Sequence, residues 1–227
     1  MGIVRLFLVL CLTAGQAAAG TWPRGEGNTF VALSYAGTGD PQTLRTPEFD
    51  PAGYLTLLVE RGWTPRLTFG LDAGYGDSGD YKAVLFGSYA IGPQDARNRY
   101  AFHAGAGSTR YGDVSEPIAY LGASFGRGME TPLGPGWIAA DLYAYYRVSS
   151  QDIVTKADVT FGITAQEGRK LLLQLQAGKY PDSDPYLRAV PSLVVELAPG
   201  RHVEVGVQIG ISGERDVGMK LGTWLEF

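Results

Sequence analysis

Beyond Cys11 the chain contains no cysteine. That absence excludes disulfides, thiolate zinc sites and cysteine nucleophiles from everything downstream. Long hydrophobic runs are missing as well: nothing after residue 20 approaches the ~18 consecutive apolar residues of a membrane helix. Nor is there an excess of positive charge, with 19 Lys and Arg against 23 Asp and Glu, so no basic face is offered to nucleic acid. Amphipathic helical stretches longer than a couple of turns and low-complexity linkers are absent too. Only His103 and His202 are available as imidazole bases. The acidic stretches "DSGD" and "YPDSDPY" lack the ligand spacing of a calcium loop and read as turn chemistry. No metal and no cofactor are expected.

The first twenty residues read "MGIVRLFLVLCLTAGQAAAG". One early charge, Arg5, precedes an apolar run from Leu6 to Ala14, and the small residues Ala17, Ala18 and Ala19 follow. The run is too short to span a bilayer, so residues 1–19 are expected to be a cleaved secretory leader with Gly20 first in the mature chain. Losing Arg5 makes the balance one charge more negative. An exported chain without disulfides must be held together by its sheet or by its surroundings.

What is present is alternation. "RLTFGLDAGYG" sets Leu67, Phe69, Leu71, Ala73 and Tyr75 against Thr68, Gly70, Asp72, Gly74 and Gly76. "KADVTFGITA" and "HVEVGVQIGI" do the same, and so does the closing "VGMKLGTWLEF", where Val217, Met219, Leu221, Leu225 and Phe227 share one phase. Period-two patterning over about ten residues fits a tilted strand that crosses a bilayer. Less regular versions bring the expected number to about twelve, with the facing of residues 81–91 undecided and Pro191 awkward for a ladder. Residues 20–227 therefore predict one all-β domain, an antiparallel up-and-down transmembrane barrel. Short glycine-closed turns such as "APG" fall on the rim of the chain ends. Longer polar connections, "STRYGDVSEP" among them, fall on the other, while "RGMETPLGPG" is long on the wrong side.

The two faces differ in kind. The apolar phase repeats Leu, Val, Ile, Phe and Ala with little variation in shape, as lipid tolerates, whereas the other is rich in Gly, Ser, Thr, Gln and Tyr. Aromatics near strand ends, including Trp63, Tyr75, Trp137 and Trp224, are expected at the headgroup level. The polar phase predicts an inward wall of Asp72, His103, Asp141, Tyr143, Lys156, Asp158, Gln174, Arg188, Glu196, His202, Glu204 and Lys220. Charges of both signs alternate around it, so they either line a narrow wet path or pair and seal it.

With its terminal Phe227 behind Val217, Met219, Leu221 and Leu225, the chain resembles bacterial outer-membrane β-barrel proteins. Its size is similar to the small porin-like class. The resemblance implies that the last strand is an address read by the barrel-assembly machinery, after escort by periplasmic chaperones. It also implies a location among outer-membrane lipid and lipopolysaccharide, a monomer, and a passive channel for small solutes. Two alternatives stay open: a lipid-modifying hydrolase, for which Glu196 opposite His202 would orient a base, and a sealed structural barrel. No G-x-S-x-G elbow supports the hydrolase.

Overall fold

A computed structural model describes residues 20–44, 46, 51–165 and 168–227. The expected leader, residues 1–19, lies outside the described residues. Twelve strands follow in chain order: β1 (Thr29–Gly39), β2 (Ala52–Gly62), β3 (Leu67–Gly76), β4 (Tyr81–Ile91), β5 (Asn98–Tyr111), β6 (Val114–Thr131), β7 (Gly134–Arg147), β8 (Ile153–Thr164), β9 (Arg169–Lys179), β10 (Tyr186–Ala198), β11 (Arg201–Ser212) and β12 (Val217–Glu226). Each pairs antiparallel with the next, and β12 pairs back onto β1, so the sheet closes with no free edge. Closure runs from Phe30 opposite Glu226 to Gly39 opposite Val217. Phe227 finishes the seam: its N–H donates to the Thr29 carbonyl at 2.9 Å and its carbonyl accepts from Thr29 N–H at 3.0 Å. Among the described residues no helix is long and apolar enough to cross a membrane.

Alternation decides what each face meets. Leu85 is 68% exposed, Leu121 65%, Phe102 62% and Leu142 61%, each on the outer phase of its strand. Similar residues continue around the wall through Leu171, Val205, Val207 and Leu221. A soluble protein rarely exposes a contiguous apolar patch beyond a few hundred Å². Here the patch is a belt, which lipid covers. A concavity of about 1140 Å³ is lined by outer-phase residues such as Leu67, Phe69, Phe102 and Leu121 and also by His103, Tyr143, Lys156 and Tyr186.

Three expectations need correction. The stretch "STRYGDVSEP" is not a long loop, because β5 and β6 continue through it and turn at Gly112 and Asp113. Gly112 has φ 60°, the left-handed conformation that tight hairpins place on glycine. "RGMETPLGPG" is likewise two strands joined at Pro132–Leu133, so the rim of the chain ends carries a short turn there. Thirdly, Trp137 and Trp224 are not in a headgroup belt: they point inward and are 2% and 7% exposed. Residues 81–91 resolve with Lys82, Val84, Phe86, Ser88 and Ala90 inside, and Val84 is 1% exposed. Both phases are apolar because one meets lipid while the other fills the interior. Pro191 sits on the outer phase, paired to Leu173 of β9. The paired residues toward β11 skip from Ala189 to Ser192, where proline has no N–H to give.

Candidate functional site within the barrel

The interior has two unlike halves. Toward the rim of the chain ends it is solid. Phe30, Val194 and Trp224 form one cluster, with Leu58 and Leu172 packed against it. Trp137 and Ala139 form another, which Leu172 and Trp22 join. A third cluster, Val84, Phe86, Ile118, Tyr120, Tyr145 and Val154, lies on the β4–β8 side toward the opposite rim and is reached by Leu58, Tyr143 and Tyr180. The rings lie close to the wall because glycines face them: a Cβ on Gly122 would come within 2.8 Å of Tyr143, and one on Gly162 would run into the Trp137 indole. Small residues on the inner phase therefore make room for rings, which fill the lumen.

Part of the filling comes from outside the strands. Residues 20–28 precede β1 as a strap whose first part, residues 20–25, runs inside the wall and whose last three residues are exposed at the rim. Thr21 is fully buried. The Trp22 ring sits where a Cβ on Gly126 would be, beside Trp137. Arg24 donates from Nε to Glu60 at 2.7 Å, stacks its guanidinium 3.9 Å over the Phe30 ring, and gives its backbone N–H to Thr68 at 3.2 Å. The side chains of Arg24 and Glu60 are only 10% and 5% exposed. Removing one partner of such a pair leaves a buried charge unpaired and costs about 3–5 kcal/mol.

The half toward the opposite rim holds that third cluster together with half-buried polar groups, and it buries the Arg147–Glu116 ion pair (2.6 Å) near its edge. Arg188 donates to Gln176 at 2.6 Å, and Gln176 to Gln174 at 2.6 Å. Gln208, with its amide oxygen turned to the guanidinium, accepts from Arg188 at 2.6 Å. This ladder crosses β9, β10 and β11. Lys220 pairs with Glu204 at 2.8 Å, Lys82 pairs with Asp72, and Lys82 also approaches the Tyr145 hydroxyl at 3.5 Å. Lys156 lies 5.4 Å over the Tyr180 ring. A hollow of about 20 Å³, room for a water, opens between Thr38, Tyr186, Arg188, Gln208 and Asp216.

Asp72, His103, Asp141, Tyr143, Lys156, Asp158, Gln174, Arg188, His202, Glu204 and Lys220 all occupy the inner phase of their strands. Glu196 stands at the rim, where it accepts the Gly200 N–H at 3.3 Å. It faces His202 in register, but no hydrogen bond joins them among the described residues, and the His202 ring packs against Trp224 at 6.1 Å. Among the described residues no hydroxyl is hydrogen-bonded to either side chain; the Thr223 hydroxyl donates to the His202 backbone carbonyl at 3.0 Å. Sequence reasoning missed Ser124, which connects two chosen residues: its hydroxyl donates to Asp141 and meets His103 Nε2 at 2.7 Å. The order is wrong for acyl transfer, which needs the imidazole between hydroxyl and acid. Serine is in the middle here, so the row is a hydrogen-bonded wall. Glu60, Lys82, Arg24 and Trp22 were missed as well.

Val217, Met219, Leu221 and Leu225 face outward along β12. Met219 is 59% exposed and Phe227, at the rim, 71%.

No protein-family profile matches the chain, and a search of curated proteins finds no relative. Among solved structures it is similar to the KdgM porin, with TM-score 0.58 and 10% identity over 86% of this chain and 99% of that one. It is also similar to the NanC porin, with TM-score 0.59 and 11% identity over 86% and 98% of the two chains. The outer membrane channel COG4313 of Pseudomonas putida F1 aligns with TM-score 0.60 and 11% identity over 93% and 98%. At such identity the likeness is one of fold. The chain is a closed twelve-stranded membrane barrel with the porin-like architecture of these channels.

Proposed function

We propose that the protein is a passive channel for small polar solutes in the bacterial outer membrane. Its chain ends face the periplasm, and the described form is closed at that side. The polar ladder from Gln174 through Arg188 to Gln208 carries this reading, because a barrel that only had to seal would gain more from an apolar fill. Charges of both signs, among them Asp72, Asp158, Lys156 and Lys220, keep that half hydrated without selecting strongly for anions or cations. The fold shared with outer-membrane channels supports the same reading. Lipid and lipopolysaccharide surround the belt. The exposed phase of β12, ending on Phe227, is the surface offered to the assembly machinery and its chaperones.

A sealed structural barrel is the second reading, favoured by the ring cluster from Val84 to Val154. Single-channel recording separates the two. Discrete conductance steps are expected from the refolded protein, either intact or shortened to begin at Gly27. Silence from both, with folding verified by a heat-dependent gel shift, would overturn the channel.

A further inference from the structure

The strap ends in a site built for a cation. Gly20 lies where a Cβ would come within 2.6 Å of both Asp141 Oδ1 and Ser124 Oγ. Its carbonyl accepts a hydrogen bond from the Ser88 hydroxyl at 3.3 Å. Asp141 is 5% exposed and faces Asp158 directly across the β7–β8 pair. Neither carboxylate belongs to an ion pair among the described residues. Lys156, Arg188 and Lys82 are near enough to act on Asp158, whereas the more deeply buried Asp141 is costly unless a positive group joins it.

Leader cleavage supplies one. Hydrolysis of the Ala19–Gly20 bond by the export protease puts the water's hydroxyl on the Ala19 carbonyl and its proton on the Gly20 nitrogen. That leaves a primary ammonium with three donors. We infer that this new terminus is bound inside the barrel by Asp141 and Asp158, with Ser124 between Asp141 and His103 holding the acceptor in place. The strap is then a plug latched at both ends, by the terminal ammonium on the acids of β7 and β8 and by Arg24 on Glu60 of β2. Between the latches Trp22 rests over Gly126, so an added side chain there lifts the plug without touching either charge. The inference rests on cleavage at the expected bond. As a binding site for the chain's own ammonium, it does not depend on conduction.

Amine protection tests it without any current. The exported protein in detergent, its first residue fixed by mass spectrometry, is treated briefly with a small water-soluble acylating reagent. Acylation of the Gly20 amine is followed against that of Lys179, which lies at the opposite rim. The folded protein should acylate at Gly20 at least about tenfold more slowly than the heat-unfolded chain, as for a group released only by local opening. Both Gly126→Leu and Asp141→Asn should restore the rate while the gel shift still reports a folded barrel. Should Asp141→Asn fail to fold, Ser124→Ala replaces it. An amine as reactive folded as unfolded, or a mature chain that starts elsewhere, overturns the inference. Protection that survives both Asp141→Asn and Ser124→Ala overturns the assigned latch.

Discussion

The two halves of the lumen are built from the same inner phase of the same strands, yet they end in opposite states. Near the chain ends Glu60, Thr68, Ser88, His103, Ser124, Asp141 and Glu204 are all buried, most of them answered by a wall partner or by the strap. Toward the other rim Asp72, Lys156, Gln176, Arg188 and Lys220 remain half-buried, with Arg188 bonded to Gln176 and Asp72 to Lys82, while Asp158 faces Asp141 at mid-depth. Strand chemistry does not separate the halves. The difference lies in nine residues ahead of β1, together with the rings that glycines admit to the wall.

Glu60→Gln should break the contrast most. It strands the Arg24 guanidinium in a closed site, so by the buried-pair penalty of about 3–5 kcal/mol the open fraction should rise a hundredfold or more. Open probability in bilayers measures it. Gly126→Leu acts next, by displacing Trp22 sterically. Its openings should increase about tenfold or more, taking 1.4 kcal/mol of lost ring contact as the scale. Thr21→Val should sharpen the contrast instead. The Thr21 hydroxyl is fully buried with no partner among the described residues, so removing it should favour the closed form by about 1–3 kcal/mol. Fewer and briefer openings are expected. Arg188→Ala should have the smallest effect on gating and alter selectivity: one fixed positive charge leaves the wet half, and the reversal potential in a salt gradient moves toward cation preference.

Much of this was legible in the residues. Period-two alternation located the strands, and the polar phase of β7, β8 and β11 carries Asp141, Asp158 and Glu204. The strap was not legible, because "GTWPRGEGN" has no period and its seat is assembled from β2, β6 and β7. An indole and a guanidinium on either side of Pro23, between leader and first strand, were the available signal. The double apolar phase of residues 81–91 was a second one. It marks where the inner wall must fill space as well as face it, and its Lys82 was overlooked for that reason. Trp137 and Trp224 misled because a ring near a strand end suits a headgroup or a glycine-backed interior equally well. Loop lengths were overestimated at Gly112 and Pro132, where polar turn residues extend into paired strand. Side-chain contacts across the lumen, such as Lys82 with Tyr145, depend on closure and have no trace in local sequence.

Because the one cysteine of the chain, Cys11, lies ahead of the described residues, the asymmetry itself can be measured. Single cysteines at Gln176 and Ser88 can be labelled with a membrane-impermeant maleimide in the assembled protein, with and without residues 20–26. Gln176→Cys should label readily in both. Ser88→Cys, which lies under the strap, should stay protected in the intact chain and become reactive once the strap is removed. Equal labelling at the two positions in the intact protein, or a Ser88→Cys that stays protected without the strap, would contradict a lumen that is wet on one side and plugged by its own N-terminal segment on the other.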